Sequence, residues 1–422
     1  MKILVVGGGG REHAIIKKIK QDNDCTVFAL PGNGAIKSDA ICVDINATDI
    51  DEIASFAKTE GIDYAIVAPD DPLIAGCVDK LEACGIPCFG PRKNAAIIEG
   101  SKSFAKNLMK KYNIPTAEYE VFDNAEEALL YLEKASIPTV IKADGPALGK
   151  GVIIAQTREE AKDAVCEIMR DKKFGASGER IVIEEFLTGP EVSVLAFTDG
   201  KTIKPMVSSM DHKRIGNGDT GLNTGGMGTI APNPLYSKEI EKECTEKIFI
   251  PTVKAMNEEN RQFRGCLYFG LMLTEKGPKV IEYNCRFGDP ETQVVLPLLK
   301  GNLLEIMKSV TNGTLESTTV KSDDKCACCV IMASKGYPQS YEKGFEITVP
   351  EDIEKDVYGA GVSEKNGKIL TNGGRVLGVT SVADTLEEAI KLSYEKVSRI
   401  HFENAYYRTD IGTRALKERE GR

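Results

Sequence analysis

The 422-residue chain lacks any apolar run approaching the roughly 18 residues that would cross a bilayer. Its start, Met1-Lys2-Ile3-Leu4-Val5-Val6, meets glycine too early for a signal-peptide core, so a cytoplasmic protein is expected. Histidine is scarce. His13, His212 and His401 are the only three, which argues against a histidine-rich metal site or a Ser-His-Asp machine. There is no excess of basic residues: 54 Lys and Arg stand against 63 Asp and Glu, a net charge of −9. That balance excludes a general nucleic-acid or anionic-membrane binder but leaves room for a local basic pocket. No pair of CxxC motifs brackets a metal. The 12 cysteines lie mostly in apolar stretches (Cys42, Cys77, Cys266, Cys285), with Cys326, Cys328 and Cys329 in one strand-like run. They read as buried, reduced thiols. What is present is ordinary for a soluble globular protein: 42% hydrophobic and 28% charged residues, and a length that predicts two to four domains.

The opening predicts a strand at Ile3 to Val6, a glycine turn at Gly7 to Gly10 and a helix from Arg11 to Ile19. Further strands at Cys25 to Leu30 and Tyr64 to Ala68 end in Pro31-Gly32-Asn33 and Pro69-Asp70-Asp71-Pro72. Near-continuous apolar strands alternating with helices imply a doubly wound parallel sheet, with ligands at the carboxyl ends of its strands. Pro87, Gly90 and Pro91 mark its end. A helix capped by Ser101 follows, with Phe104, Ala105, Leu108, Met109 and Tyr112 on one face. From Tyr119 to Glu185 the order β-α-β-β-α-β describes a small split-βαβ lobe, with capping boxes at Asp123/Glu126 and Thr157/Glu160. Longer strands and hairpins occupy Glu191 to about Leu299, with a glycine-rich loop at Gly216 to Gly228. A last αβ unit from Cys326 carries a turn at Asn372-Gly373-Gly374 and a helix capped by Thr385. Lys417 to Arg422 should fray.

Four constellations carry chemistry. The turn Gly7-Gly8-Gly9-Gly10-Arg11 lets backbone N–H groups approach a phosphate, and four glycines exceed what a tight turn needs. It is not the dinucleotide fingerprint: the third glycine position falls on Glu12 or His13, and the second strand ends in Leu30-Pro31, not in an acid. The stretch from Lys142 to Gly151 fails Walker A spacing and runs into a strand, as a phosphate-covering flap does, with Lys142 as a point charge. Ile181 to Leu187, with Glu191 beyond, offers backbone for an adenine edge and acids beside it. Lys102 sits against its preference in a first helical turn, which suggests a phosphate contact. Finally, strand alternation projects Glu282, Asn284 and Arg286 together: two hard oxygen donors suited to Mg²⁺ and one phosphate or carboxylate clamp.

Together these motifs resemble the ATP-grasp ligases, and within them the phosphoribosylamine–glycine ligase family. The carriers are Gly-Gly-Gly-Gly-Arg-Glu-His-Ala at 7–14, Pro-Gly-Asn at 31–33, Glu-Gly-Ser-Lys at 99–102, Lys-Ala-Asp-Gly…Gly-Lys-Gly at 142–151 and Glu-Glu-Phe-Leu at 184–187. Asn-Thr-Gly-Gly-Met-Gly at 223–228, Arg-Phe-Gly-Asp-Pro-Glu-Thr-Gln at 286–293 and Thr-Asn-Gly-Gly-Arg-Val-Leu at 371–377 complete the set. The resemblance implies an α/β chain: an N-terminal domain at 1–99 for phosphoribosylamine, an ATP-grasp domain at 100–325 with a lid lobe at about 119–188, and a C-terminal αβ domain at 326–422. It implies that ATP, Mg²⁺ or Mn²⁺, glycine and 5-phosphoribosylamine are the partners of a monomer or weak dimer. By the same resemblance Lys102, Lys142, Gly149, Lys150, Gly151, Glu184, Glu185, Phe186, Leu187 and Glu191 hold ATP, and Glu282 and Asn284 hold the metal. Arg286, Lys142 and Lys213 serve the chemistry. Gly8, Gly9, Gly10, Arg11, Pro31, Gly32, Asn33, Asp70, Lys213, Arg214 and Arg286 cradle substrate. Pro146, Asp70 and Leu222 depart from the family pattern without removing a ligand. Another ATP-grasp carboxylate–amine ligase is the alternative, and it would differ in the N-terminal and 216–228 loops.

Overall fold

A computed structural model of the chain describes residues 1–146 and 151–420. The first apolar runs form parallel strands Lys2–Gly7, Thr26–Pro31, Ile41–Cys42, Tyr64–Val67 and Cys88–Phe89. Lys2–Gly7 lies at the centre, between Thr26–Pro31 and Tyr64–Val67. Both faces of this strand are buried, with Ile3 and Val5 in one core and Leu4 and Val6 in another, which explains its unbroken apolar character. Strand order reverses at its edge with Tyr64–Val67, and the turns leaving these two strands lead to Arg11 and Asp70.

The lobe after residue 118 folds as expected, with strands Tyr119–Phe122, Thr139–Ala143, Val152–Ala155 and Ile181–Glu185 in one antiparallel sheet. It has its own small core around Leu132, Ile141 and Ile183. Two details differ from expectation. Asn124, not Asp123, caps the first helix, its Oδ1 accepting from the N–H of Glu126 and of Glu127, and that helix ends at Leu132. Thr157 caps the second as predicted, but Glu160 closes on the Gln156 N–H one residue early.

The central sheet is antiparallel, built from Glu191–Thr198, Ile203–Pro205, Gly265–Thr274 and Gly277–Asn284. In its last strand Glu282 pairs with Gly270 and Val280 with Leu271, leaving Ile281 as an extra residue. This bulge shifts the alternation, so Val280 and Tyr283 enter the core while Glu282 and Asn284 share the opposite face.

The last sheet crosses the expected boundary. Cys326–Ser334 and Arg375–Ala383 pair with each other, and Gly228–Ala231 and Met210–Asp211 extend the same sheet from the middle of the chain. Thr385 caps Leu386–Val397 as predicted. Of the tail expected to fray, Lys417 to Glu420 belong to helix Thr413–Glu420, and Gly421 and Arg422 lie outside the described residues. None of the 12 cysteines is in a disulfide, and only Cys84 is exposed. Among the described residues no helix is long and apolar enough to cross a membrane.

His212 fastens the segment joining the two sheets. Its Nε2 accepts the Gly412 N–H at 3.1 Å, and its Nδ1 lies 3.1 Å from the Gly228 carbonyl, to which it must donate, so the ring is neutral. Burial, helped by the Arg408 charge, pulls its pKa down to about 4. The folded value lies below the ordinary 6.5, so the unfolded state takes the extra proton as pH falls from 6.5 to 4. Stability then drops by about 3 kcal/mol across that window. Denaturant unfolding at pH 7 and pH 4.5 should show this loss, and His212→Gln should flatten it. An equal pH dependence in both proteins would refute the assignment.

Candidate active site

A cavity of about 780 Å³ opens between the lid lobe, the central sheet, the switch point and the C-terminal sheet. Lys102, Lys142, Lys213, Arg286 and Arg375 line it, with Glu184, Asp211, Glu282 and Glu291 among them.

On the lid side Lys142 is buried on Thr139–Ala143, its Nζ 3.0 Å from Glu184 Oε1 on the adjacent strand and donating to the Ile281 carbonyl at 3.3 Å. A second lysine completes the pair. Lys106 Nζ lies 3.0 Å from Glu184 Oε2 and donates to Thr116 Oγ1 at 2.8 Å. Burial, with Lys142 adding to it against Glu184, brings Lys106 down to about 8. Sequence reasoning missed it. The helix Lys102–Lys111 buries Ser103, Ala105, Lys106, Leu108 and Met109, while Phe104 and Tyr112 are only half-buried. A lysine inside the apolar stripe was the available signal.

The three acids expected beside the adenine are already engaged. Glu184 holds two lysines, Glu185 accepts from Lys279 Nζ at 2.7 Å, and Glu191 lies 3.0 Å from Lys213 Nζ. Phe186 and Leu187 line the cavity there, the Phe186 ring partly exposed, while the Glu185 N–H already donates to the Glu118 carbonyl at 2.9 Å. Lys102 donates to the Gly145 carbonyl at 3.0 Å, at the mouth of the flap. Gly149 and Lys150 lie outside the described residues, whereas Gly151 reaches the cavity wall.

On the opposite wall Glu282 and Asn284 sit side by side. Burial pushes the Glu282 carboxyl up, but Lys213, Lys142, Lys102 and Arg286 outweigh it and hold it below its ordinary value, hence ionised. Its nearest cation, Lys213 Nζ, stands off at 3.9 Å. Among the described residues no group of three or more His, Cys, Asp or Glu could hold a metal alone. One carboxylate and one amide oxygen do fit Mg²⁺, which takes most of its ligands from phosphates and water. Arg286 is fixed by Glu99, with Nη2 3.0 Å from Oε1, and Nη2 also lies 3.3 Å from Asn284 Oδ1. Glu99 Oε2 accepts the Cys285 N–H at 2.7 Å. Glu99 lay in a quoted motif but received no role from the sequence.

The glycine turn corrects one step of the sequence argument. A side chain at Gly8 would strike the Gly32 carbonyl, one at Gly7 would strike Glu12 and Pro69, and one at Gly10 would strike Gln293. Packing alone therefore demands glycine at Gly7 and Gly8, whereas Gly9 and Gly10 meet only the ends of the Glu12 and Gln293 side chains. Asn33 is likewise occupied: it donates to the Gly8 and Gly359 carbonyls at 2.8 Å and accepts from Ala35 and Ile36. Arg11 and Asp70 do reach the cavity; Gly8 to Gly10 and Pro31 to Asn33 are not among the residues that line it. Arg286 and Arg11 overcome burial and keep Asp70 low. Lys213 and Arg214 reach the cavity from the hairpin below it. Arg375, also without a predicted role, joins from the C-terminal sheet, pairing with Asp289 at 3.1 Å and donating to the Gly225 carbonyl at 2.7 Å.

Comparison with known proteins matches three family models in tandem. They are the phosphoribosylglycinamide synthetase N domain over residues 1–99, its ATP-grasp (A) domain over 100–292 and its C domain over 327–414. A phosphoribosylamine–glycine ligase of Caldanaerobacter subterraneus subsp. tengcongensis is 49% identical over 97% of this chain and 99% of its own. The human trifunctional purine biosynthetic protein adenosine-3 is 46% identical over 98% of this chain and 42% of its own. The crystal structure of the phosphoribosylamine–glycine ligase of Thermotoga maritima superposes with a TM-score of 0.87 at 36% identity, covering 97% of this chain and 100% of that one. A biotin carboxylase domain from Hydrogenobacter thermophilus, at 16% identity and a TM-score of 0.74 over 98% of this chain and 97% of that one, shares the fold.

Proposed function

Because the chain belongs to the phosphoribosylglycinamide synthetase family, we infer that it is an ATP-dependent phosphoribosylamine–glycine ligase of purine biosynthesis. ATP phosphorylates the glycine carboxylate. The amine of 5-phosphoribosylamine then attacks the acyl phosphate, forming the amide of glycinamide ribonucleotide and releasing phosphate beside ADP. The observation that carries this reading is the convergence of Lys102, Lys142, Lys213 and Arg286 on the cavity that holds Glu282 and Asn284.

No enzyme nucleophile is required, so catalysis rests on positioning and charge neutralisation. Lys102 and Lys142, beneath the flap, grip the ATP phosphates, while Lys106 keeps Glu184 neutralised when Lys142 turns to its ligand. Backbone at 185–187 takes the adenine edge. Arg286, fixed by Glu99, offers its remaining N–H groups to the phosphoryl in transfer, and Lys213 meets it from the other side. Mg²⁺ held by Glu282 and Asn284 would neutralise the phosphate oxygens. Arg11 and Asp70, backed by the turns at 8–10 and 31–33, hold the phosphoribosylamine, with Arg214 assisting. Residues 1–99, 100–325 and 326–422 are the corresponding domains. On this reading the partners are three small molecules and no nucleic acid or membrane, and the chain acts in the cytoplasm as a monomer or weak dimer.

ADP release with ATP, Mg²⁺ and glycine, with and without fresh phosphoribosylamine, tests the reading. ADP formed only with both substrates, and poorly with alanine, is the expected result. Turnover indifferent to phosphoribosylamine would leave an ATP-grasp site acting on another amine. Lys142→Ala should weaken ATP binding about tenfold or more, the worth of one charge-assisted hydrogen bond. An unchanged dissociation constant by calorimetry would count against that role.

A further inference from the structure

The reaction as described gives no task to residues 406–414, yet they are fastened to the hairpin that carries Lys213 and Arg214. Arg408 is the centre of this strap. Only 1% of its side chain is exposed. Its Nε and Nη2 take the two oxygens of Asp410, both at 2.8 Å, and its Nη1 reaches Asp219 Oδ1 at 2.8 Å and the Arg214 carbonyl at 3.0 Å. Neighbouring residues repeat the attachment. Asn217 and Thr409 exchange two hydrogen bonds, the Gly218 N–H donates to Asp410 at 2.8 Å, and the Tyr406 hydroxyl donates to the Ile215 carbonyl at 2.8 Å.

The hairpin needs such support. Its own ladder, between Arg214–Gly216 and Thr220–Asn223, has two paired positions with an irregularity between them, and residues 217–222 are exposed. Two isolated strands of this length hold together poorly in water. Asp219 at its tip has φ +56°, an uncommon conformation for a residue with a side chain, and it is held there by Arg408 and by Arg414 at 3.6 Å. The hairpin also borders the chemistry: Arg214, Asp219, Asn223 and Thr224 line the cavity, as does Arg414 of the strap, the Thr224 hydroxyl donates to the Lys213 carbonyl at 2.9 Å, and Lys213 Nζ stands between Glu191 and Glu282.

We propose that Arg408 is a positioning residue of the ligase: by clamping the 214–223 hairpin it holds Lys213 against the acyl phosphate and closes that side of the cavity to water. The proposal rests on the ligase reading above. Loosening the clamp should spare ATP binding, whose lysines belong to the lid side, while impairing transfer and letting water compete with the amine.

The test uses the full-length enzyme. Arg408→Gln should lower the rate of glycinamide ribonucleotide formation at least tenfold and raise the ratio of phosphate released to amide formed above one. The ATP dissociation constant should stay within about twofold, and Arg408→Lys should recover part of the rate. Tyr406→Phe, which deletes one part-buried attachment, should shift rate and ratio several-fold in the same direction, and it decides the matter if Arg408→Gln fails to fold. Amide formation within twofold of wild type at a ratio of one, in the folded variants, would overturn the proposal. So would a loss of rate explained entirely by lost ATP binding. A wild-type enzyme without glycine-dependent turnover would instead refute the ligase reading, leaving the strap a structural brace.

Discussion

Glu282→Gln is expected to lower kcat by about a thousandfold or more, with the chain still folded. The variant keeps the shape of the side chain and removes its charge. Four cations, Lys102, Lys142, Lys213 and Arg286, act on this carboxylate and keep it ionised against burial. Such a carboxylate is prepared for a cation beyond those the protein supplies. A metal stabilises transition-state charge on a phosphoryl by several kcal/mol, and about 4 kcal/mol corresponds to a thousandfold. Folding should change little, because Lys213 stands 3.9 Å from Glu282 and keeps its closer partner Glu191 at 3.0 Å. Without metal, ATP should bind the variant as tightly as wild type or more so, since the lysines and Arg286 then act on the phosphates unopposed. With Mg²⁺ present, wild type should bind ATP more tightly than the variant. A kcat within tenfold of wild type at saturating Mg²⁺ would sink the metal assignment.

The parts of this site that were legible in the sequence are those governed by local pattern. Glycine turns after apolar strands marked the switch point, and alternation placed Glu282, Asn284 and Arg286 on one face. That second inference held because all three follow the bulge at Ile281. Residues earlier in the strand would have been assigned to the wrong face, since a bulge depends on its partner strand and leaves no local mark. Lys106 was missed for a related reason. Its place inside the apolar stripe of its helix marked it as unusual, but the partner that explains it, Glu184, is brought there by tertiary packing. The four-glycine turn shows the opposite case: part of its glycine content answers to packing against Pro69 and Gly32, which crowd Gly7 and Gly8 and are distant in sequence. The domain pattern was readable, but the recruitment of Met210–Asp211 and Gly228–Ala231 into the C-terminal sheet was not. Sheet partners roughly a hundred residues apart are chosen by the whole fold. Arg375 and Arg408 come to the hairpin and the cavity by that same long-range route.

Arg286 separates stability from chemistry, and a two-residue cycle can show it. Arg286→Met should destabilise the protein by about 3–5 kcal/mol, the usual consequence of removing one partner from a buried ion pair. The residue left behind is Glu99, with 11% of its side chain exposed, whose carboxyl burial already pushes above its ordinary value even with Arg286 beside it. Without the arginine it rises further. A folded value above the unfolded one means the native state binds more protons, so the single variant should gain stability relative to wild type as pH falls from 8 towards 5. Arg286→Met with Glu99→Gln should restore most of the lost stability, because the neutral amide can still accept the Cys285 N–H and carries no charge in need of a partner. Activity should not follow. Both variants lose the guanidinium whose Nη2 lies 3.3 Å from Asn284 Oδ1 and which the proposed mechanism sets against the transferring phosphoryl, and kcat should stay down by about a thousandfold in each, as when a preorganised donor is removed. Denaturant unfolding at pH 5 and pH 8, together with ADP release, reads both quantities in the same proteins. If the double variant regains turnover along with stability, Arg286 serves only to neutralise Glu99, and the charge on the transferring phosphoryl must be met by Lys213 and Lys142.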